Sequence, residues 1–325
     1  MREEDIRKRD VFNRYLDLSR KDAENFFANH NRFIDIQCPA CNSGNYQYEF
    51  DKYGFTYVSC PVCHTLFVNP RPAFDDLIRF YADSPSTHYW VEEFFKPVAE
   101  VRREKIFRPR AEYVTEVLPN LNNGVIGDIG AGFGIFLEEI RRLWPSRLIA
   151  IEPSIDQAEI CLGKGIEVQC CALEELQGFE NEFDLLTCFE LFEHLHTPVD
   201  FVQRVFKLLK PGGHFLMTTL NGQGFDIQLL WDKSKSISPP QHINFFNTTS
   251  ITLLLQRCGF QIVDVSTPGK LDWDIVEGMI KNEETSLERF WHLLSRQGNE
   301  LCKNEFQDWI ARNKFSSHMR VLARK

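Results

Sequence analysis

A glycine-rich segment in the middle of the chain constrains its fold more than any other feature. An apolar run at 125–129 is followed by Gly130, Gly132 and Gly134, and then by the amphipathic stretch 136–140. This order is typical of a strand, a tight turn and a helix. A second apolar strand ends at Glu152, eighteen residues past Gly134. Glycines let the backbone approach a ligand, and an acid at the next strand's tip can bind ribose hydroxyls. The segment therefore predicts a nucleotide-binding site in a doubly wound α/β fold.

The glycine spacing decides which class of nucleotide is expected. A dinucleotide fingerprint is G-x-G-x-x-G, but here the third glycine comes one residue early, and Asp128 precedes the first glycine by two positions. A carboxylate at this place disfavours a diphosphate and favours a ligand that carries an ammonium group, as S-adenosylmethionine does. The segment resembles the first motif of the class I S-adenosylmethionine-dependent methyltransferases, which is an acid followed by G-x-G-x-G.

Later segments follow the order of the same superfamily. The strand that begins at Phe183, the Glu193-His194 pair and the turn at Pro211 resemble landmarks of its small-molecule branch, which includes ubiquinone-type O-methyltransferases and sugar C-methyltransferases. The resemblance covers about 121–267. It implies a seven-stranded Rossmann-like sheet that is closed by an antiparallel seventh strand. The remaining predicted strands are 166–170, 183–189, 214–220, 260–265 and 318–324.

The resemblance also implies a set of cofactor contacts for S-adenosylmethionine. Glu152 is expected to hold the ribose hydroxyls, Leu173 to flank the adenine, and the backbone near Gly130 to meet the methionine end. The residues predicted to contact the cofactor are Asp128, Gly130, Ala131, Gly132, Gly134, Glu152, Pro153, Ala172, Leu173, Phe189 and Glu190.

His242 and His194 are the candidates for the base that takes a proton from the methyl acceptor, and His196 is a third after them. An unperturbed histidine titrates near neutral pH, which suits this role. His242 follows two prolines in the loop after the fifth strand, and His194 follows the fourth strand. A turn-stabilising hydrogen bond by His242 and an orienting role of His194 are the open alternatives. Binding of a divalent ion is an alternative role for Glu190 and Glu193, although a solvated or cofactor-contacting role is favoured.

Two Cys-Pro-x-Cys pairs near the start of the chain predict a metal site. Cys38 and Cys41 are separated by eighteen residues from Cys60 and Cys63, a spacing that supplies four thiolates to one tetrahedral zinc. Alternating aromatic residues between the pairs predict a hairpin, so we expect a zinc ribbon. A segment this short has too little core to fold alone, which makes the zinc structural. His64 is expected to be a bystander.

Composition and motif order give the expected domain organisation and location. The predicted parts are an N-terminal helical segment at 1–35, the zinc ribbon at 36–69, and a helical and aromatic linker and cap at 70–120. The methyltransferase domain follows at 121–325, with a helical insertion at 270–315. A single helix is expected over about 98–118. Ten cysteines, a charged start without a signal-peptide pattern, and the lack of an apolar run near ~20 residues favour a cytoplasmic protein without a membrane span.

These observations favour S-adenosylmethionine-dependent methyl transfer to a small molecule, such as a sugar-linked or other biosynthetic intermediate. An alternative is an RNA methyltransferase that grips RNA with the ribbon. The net charge of -9 and the single cation in 36–69, Lys52, argue against nucleic acid. A non-catalytic zinc scaffold is disfavoured because the acids and glycines of the motif are intact. The residues fix neither the acceptor, nor O-, C- or N-methylation, nor the oligomeric state.

Overall fold

A computed structural model describes residues 2–325 of the chain. The described part contains thirteen strands: β1 (Phe33–Ile34), β2 (Gln47–Lys52), β3 (Phe55–Ser59), β4 (Leu66–Val68), β5 (Arg71–Pro72), β6 (Val125–Ile129), β7 (Arg147–Ile151), β8 (Glu167–Gln169), β9 (Phe183–Phe189), β10 (Leu209–Leu220), β11 (Asn244–Phe245), β12 (Gln261–Ser266) and β13 (His318–Arg324).

Fourteen α-helices accompany these strands within residues 2–325. They are α1 (Glu3–Ile6), α2 (Arg9–Phe26), α3 (Phe74–Asp83), α4 (Pro85–Tyr89), α5 (Ala99–Arg102), α6 (Arg108–Val117), α7 (Ile135–Leu143), α8 (Ile155–Gly163), α9 (Pro198–Leu208), α10 (Phe225–Leu230), α11 (Thr248–Arg257), α12 (Asp272–Lys281), α13 (Arg289–Gln297) and α14 (Glu300–Arg312). None of the helices in this part of the chain combines the length and apolar character that crossing a bilayer requires.

The chain divides into two compact units. The first comprises residues 2–98, 220–251 and 266–319, and the second comprises residues 99–219, 252–265 and 320–325. The four-part domain division drawn from the sequence stays a prediction.

The second unit is built on the seven-stranded sheet, whose order is β12-β13-β10-β9-β6-β7-β8. Neighbouring strands from β10 through β9, β6 and β7 to β8 are parallel. Most residues of β6, β7 and β9 are buried, because a parallel sheet is covered on both faces. Ile126, Ala150 and Leu185 of the sheet pack with Phe136 and Ile140 of α7 in one buried cluster. The predicted Rossmann-like α/β fold is confirmed.

The helix that leads into this sheet differs from the sequence expectation. In place of one helix over about 98–118, α5 and α6 are separated by a π-helical turn at Arg103–Phe107. Pro109 lies in the first turn of α6. Proline has no N–H to donate to the carbonyl four residues earlier, so the regular α-helical ladder cannot run through this position.

The first unit contains the predicted hairpin, β2 and β3, within a larger sheet of order β11-β4-β3-β2. The expectation of a hairpin alone was incomplete, because β11 joins the sheet from a distant part of the chain. Tyr57 and Phe245 belong to the aromatic core of this sheet. Within 270–315, Trp273 of α12 packs against Trp291 of α13 and Phe306 of α14.

Candidate functional site

The parallel strands of the second unit bring several predicted site residues to one edge of the sheet. Parallel neighbours end on the same side, so the segments after β6, β7, β8 and β9 share that edge. The glycine turn follows β6, Glu152 follows β7, and Glu190 follows β9. A sheet of this kind places its ligand crevice at the carboxyl ends of the strands.

The turn after β6 uses glycine for a conformational reason. Gly130, Gly132 and Gly134 all have positive φ, at 67°, 57° and 68°. A side chain would be strained in this left-handed region, whereas glycine enters it without a steric cost. At Gly134 a Cβ would also lie 2.9 Å from both the Cys161 sulfur and Ile166. Ala131, between the first two glycines, is half-buried.

Asp128 lies at the base of this turn and is almost fully buried, at 3% exposure. The hydroxyl of Thr187, its partner across the β6–β9 pair, donates to Asp128 Oδ1 at 2.6 Å. Burial raises the pKa of Asp128 to about 7, against the lowering effects of Thr187 and of the charge on Arg110. A buried carboxylate near neutrality gains much from a cationic partner, because that partner replaces the lost hydration of the charged form.

Glu152, directly after β7, is hydrogen-bonded to the glycine turn. Its Oε2 accepts from the Gly132 amide at 2.8 Å, and its Oε1 accepts from the Ser154 amide at 2.9 Å. The side chain is buried, which raises its pKa, while the two amides lower it. A carboxylate offers about four lone-pair sites, so these two bonds leave acceptor capacity for further donors.

An arginine that the sequence did not single out organises the segment after β9. Arg110, on α6, donates to Glu190 Oε1 at 2.7 Å and to the Thr218 hydroxyl at 3.1 Å. Its guanidinium also lies over the Phe189 ring, 4.5 Å from the centroid. Glu190 has a positive φ of 53°, and it accepts a further hydrogen bond from Thr218 at 2.6 Å. This unusual backbone geometry at a strand end is therefore held by a charged pair.

A second carboxyl group lies close behind Glu190. Glu193 is 2% exposed, and the Thr219 hydroxyl donates to its Oε2 at 2.8 Å. Burial and, after it, the charge of Glu190 raise the pKa of Glu193 to about 8. With its pKa raised, this carboxyl group holds its proton to a higher pH than an exposed glutamate does. The sequence pointed to Glu193 through the Glu-His pair but not to its partner Thr219.

The remaining predicted contact residues lie along the same strand ends with different exposure. Leu173 is buried in a short 3₁₀ turn after β8, Ala172 precedes it half-buried, and Pro153 is exposed directly after Glu152. His194 is half-buried at the end of the 3₁₀ turn Phe192–His194. Their contact with a cofactor stays a prediction.

The first unit brings the four predicted metal ligands together. Cys38, Cys41, Cys60 and Cys63 place their sulfurs within 4.8 Å of one another, and the closest pairs are 3.4 Å apart. Tetrahedral zinc with Zn–S bonds of ~2.3 Å needs sulfurs roughly 3.8 Å apart. The cluster therefore fits one zinc ion.

The two halves of the cluster have the same backbone geometry. Cys38 accepts a hydrogen bond from the amide four residues later and donates to the carbonyl five residues later, and Cys60 does the same. The fourth residue after each cysteine, Asn42 and His64, has a positive φ. Matching turns of this kind present both cysteine pairs to a common point. No histidine joins the four cysteines in the cluster within residues 2–325.

His242 lies in the first unit, two residues before the start of β11. Its Nδ1 is 2.6 Å from the carbonyl oxygen of Ser236. A carbonyl can only accept, so Nδ1 carries the proton, and Nε2 holds the lone pair when the ring is neutral. The backbone carbonyl of His242 accepts from the Tyr57 hydroxyl at 2.7 Å. His242 therefore makes a hydrogen bond through Nδ1 that can stabilise its turn, and its Nε2 is still a basic nitrogen.

The buried Asp128 leads to a pH-dependent prediction for cofactor binding. A cationic ligand binds the charged carboxylate, so binding lowers the pKa of Asp128 and releases its proton. We expect the affinity for S-adenosylhomocysteine, which has the same ammonium group, to fall as pH drops from 8 to 6. The limiting slope is up to about tenfold per pH unit below 7. Calorimetry in buffers of different ionisation enthalpy measures affinity and proton release.

Asp128→Asn is the matched variant for this measurement. It keeps the size and the hydrogen-bonding position of the side chain but cannot titrate, so its weaker binding should not vary over the same pH range. A wild-type affinity that is equal at pH 8 and pH 6, without proton release, would rule out the role given to Asp128.

The comparisons with known proteins agree with this geometry. The family model described as "Methyltransferase domain" matches residues 99–265, just over half of the chain. The ubiquinone biosynthesis O-methyltransferase of Vibrio cholerae is 26% identical over 170 residues, which are 50% of this chain and 65% of that protein. The enzyme of the same name from Alkalilimnicola ehrlichii is 29% identical over 147 residues, 43% of this chain and 57% of that protein.

The chain thus spans less than two thirds of the length of these relatives. Among solved structures, the Burkholderia thailandensis 1,6-didemethyltoxoflavin-N1-methyltransferase is 16% identical, with 86% of this chain and 99% of that chain covered and a TM-score of 0.46. A likeness at this TM-score carries no functional argument. The matched residues include the glycine turn and strands β6 to β10, and the chain belongs to the methyltransferase domain family, which confirms its resemblance to the class I S-adenosylmethionine-dependent methyltransferases.

Proposed function

We propose that this protein transfers a methyl group from S-adenosylmethionine to a small-molecule acceptor. The observation that carries the proposal is the glycine turn after β6. Asp128 is buried at the base of this turn. At the shared carboxyl edge of the sheet, Glu152 accepts a hydrogen bond from the Gly132 amide of the turn. Two acids and three positive-φ glycines in this order suit a nucleoside whose amino-acid tail is cationic.

The chain's own residues would hold the cofactor through complementary groups. Glu152 would accept from the ribose hydroxyls with its remaining lone pairs, and Asp128 would attract the ammonium group. Leu173 would pack against the adenine. The bound sulfonium would supply an electrophilic methyl group, and the protein's main task is to hold the acceptor in line with it.

Removing a proton from the acceptor is the second task, and His242 is the proposed base. The Ser236 carbonyl fixes the Nδ1–H tautomer, so Nε2 is the ring nitrogen that can accept a proton. His194 is the second candidate because it follows β9, the strand whose end carries Glu190 and Glu193.

The acceptor class is proposed from charge and from the relatives. The names of the ubiquinone biosynthesis O-methyltransferases favour a hydroxyl acceptor, and a sugar-linked intermediate or a C-methylation is the alternative within the same class. An RNA substrate is disfavoured because the net charge is -9 and Lys52 is the only cation in 36–69. Binding to a phosphate backbone needs clustered cations.

We further propose that Cys38, Cys41, Cys60 and Cys63 hold one structural zinc ion. Four thiolates close the tetrahedral site and leave no open position for a substrate or a water, so this ion would not take part in the methyl transfer. Its contribution would be to the folding of the β2–β3 hairpin and the turns around it.

One labelling experiment tests the proposed activity. The protein is incubated with methyl-labelled S-adenosylmethionine and either a small-molecule extract or total RNA, and the labelled products are separated and identified by mass spectrometry. Label in a small molecule supports the proposal. Label in RNA alone would favour the RNA alternative, and binding of S-adenosylhomocysteine without label in either arm would favour a non-catalytic protein.

Glu152→Ala tests the cofactor site directly. The substitution removes the charge-assisted hydrogen bonds to the ribose, and the loss of one such bond costs about 1.5–3 kcal/mol, so S-adenosylhomocysteine should bind at least about 10- to 100-fold more weakly in calorimetry. Glu167→Ala is the control, since Glu167 pairs with Arg147 on the exposed side of β7 and β8. The control should bind normally. Equal affinities of the wild type and Glu152→Ala would remove Glu152 from the site.

A further inference from the structure

We propose that the zinc ribbon positions His242. The segment that follows this histidine forms a strand of the ribbon sheet, so the metal site fixes the position of the proposed base. The inference rests on the proposed role of His242. It assigns positioning roles to Tyr57, Arg71 and Asn247, which the sequence did not connect with catalysis. All of the contacts that carry it lie within the first unit.

The first link is a strand addition. β11 pairs antiparallel with β4, with Asn244 opposite Phe67 and Phe245 opposite Leu66. The Val68 amide adds a hydrogen bond of 3.0 Å to the carbonyl of Ile243, the residue next to His242. Main-chain hydrogen bonds of this kind attach an extended segment to a sheet edge and set its register. His242 is thereby held at the margin of the ribbon sheet.

The second link joins the same segment to the ribbon through two side chains. The Tyr57 hydroxyl, on the central strand β3, donates to the His242 carbonyl oxygen at 2.7 Å, and the Tyr57 residue is 0% exposed. The side-chain nitrogen of Asn247, Nδ2, donates to the backbone carbonyls of Cys63 and His64 at 2.9 and 3.0 Å. Because Cys63 is a proposed zinc ligand, this bond connects the segment directly to the metal-binding turn.

The third link is a buried arginine. Arg71 is 0% exposed, and its Nη2 donates to Asn244 Oδ1 at 3.0 Å. Its Nε donates to the Val68 carbonyl oxygen at 3.4 Å. Arg71 therefore joins the end of β4 to the first residue of β11 through hydrogen bonds that are shielded from water.

These links define what loss of the ribbon geometry should do. The metal-binding turns would loosen, and Asn247, Asn244 and the His242 carbonyl would lose fixed partners. Binding of S-adenosylhomocysteine should persist, because none of the residues proposed for the cofactor belongs to the ribbon or to the segment that follows His242. Turnover should fall, because a displacement of about 1 Å in a catalytic group can cost on the order of 10²-fold.

Two near-isosteric substitutions test the inference in the full-length, zinc-loaded protein. Asn247→Asp keeps the oxygen that accepts from the Thr249 and Ser250 amides but turns the donor towards Cys63 and His64 into an acceptor. Tyr57→Phe removes only the hydroxyl. Asn299→Asp, at the start of α14, and Tyr48→Phe, on the exposed face of β2, are the matched controls.

Three quantities are measured for each protein: hydrogen exchange of the 238–247 peptide, affinity for S-adenosylhomocysteine, and turnover on the acceptor fraction found by labelling. We expect Asn247→Asp to speed exchange in 238–247 and to lower kcat by about 10- to 100-fold, with the S-adenosylhomocysteine affinity within about twofold of wild type. Tyr57→Phe should also speed exchange in 238–247 and lower kcat, but by smaller factors. Chelation of zinc from the wild type should give the same exchange pattern.

The outcomes separate this inference from the proposed function. If both variants and the zinc-free protein keep wild-type exchange in 238–247, the ribbon does not hold the segment and the inference is overturned. It is also overturned if exchange rises while kcat is unchanged and His242→Ala still abolishes turnover. If His242→Ala leaves turnover intact, the base assignment fails instead, while the exchange data still decide whether the ribbon holds the segment.

Discussion

Replacing Cys60 by serine is expected to deprive the protein of its zinc and to unfold the ribbon locally. Cys60 is fully buried, and its backbone forms both hydrogen bonds of the second metal-binding turn. Structural zinc sites contribute an apparent binding free energy of about 10–16 kcal/mol in small zinc domains, comparable to the whole stability of a typical domain. Elemental analysis should fall from one zinc per chain to nearly none, and the thermal midpoint should drop.

Cys302→Ser is the control for this experiment. Cys302 is exposed on α14 and lies outside the four-cysteine cluster. This variant should retain one zinc per chain and the wild-type midpoint. Wild-type protein that contains no zinc after purification without chelator, or Cys60→Ser protein that retains a full equivalent, would contradict the proposed site.

Replacing His242 by alanine is expected to reduce turnover on the true acceptor by roughly 10²- to 10⁴-fold, the usual cost of removing a general base. The bond from Nδ1 to the Ser236 carbonyl holds the tautomer whose Nε2 can take the proton. Affinity for S-adenosylhomocysteine should change little, because His242 is not among the residues proposed to hold the cofactor. Initial rates with labelled S-adenosylmethionine, together with calorimetry, separate the two quantities.

His194→Ala and His292→Ala accompany this variant. His292 lies on α13 and has no proposed role, so its replacement should leave the rate unchanged. If His242→Ala retains normal turnover while His194→Ala abolishes it, the base follows β9 and His242 serves only to stabilise its turn.

Short-range patterns predicted much of this protein. The alternation of apolar runs and helical segments predicted the sheet, and its strand order confirms the Rossmann-like fold. The segment with Gly130, Gly132 and Gly134 predicted a glycine-rich turn between a strand and a helix, and the structure shows that all three glycines have positive φ. The paired Cys-Pro-x-Cys segments predicted a four-sulfur cluster, and those sulfurs meet. Each of these features depends on neighbours within a few residues, or on a repeated local motif.

Other features depend on partners that no local pattern identifies. The break in the helix before β6 follows from Pro109, but the consequence that Arg110 meets Glu190 depends on how α6 packs against the sheet. Arg110 lies in a helix that contains both polar and apolar residues, and the local sequence does not indicate that only 13% of its side chain will be exposed. The raised pKa values of Asp128 and Glu193 likewise come from burial, which composition does not reveal.

The sequence by itself determined the kind of fold, the glycine turn and the identity of the four clustered cysteines, because local geometry and donor chemistry are properties of adjacent residues. The tertiary structure alone decided that β11 completes the ribbon sheet and that Tyr57 holds the His242 carbonyl across 185 positions of the chain. Such contacts form because an open sheet edge and a buried hydroxyl both need hydrogen-bond partners, and only the folded chain determines which segment supplies them.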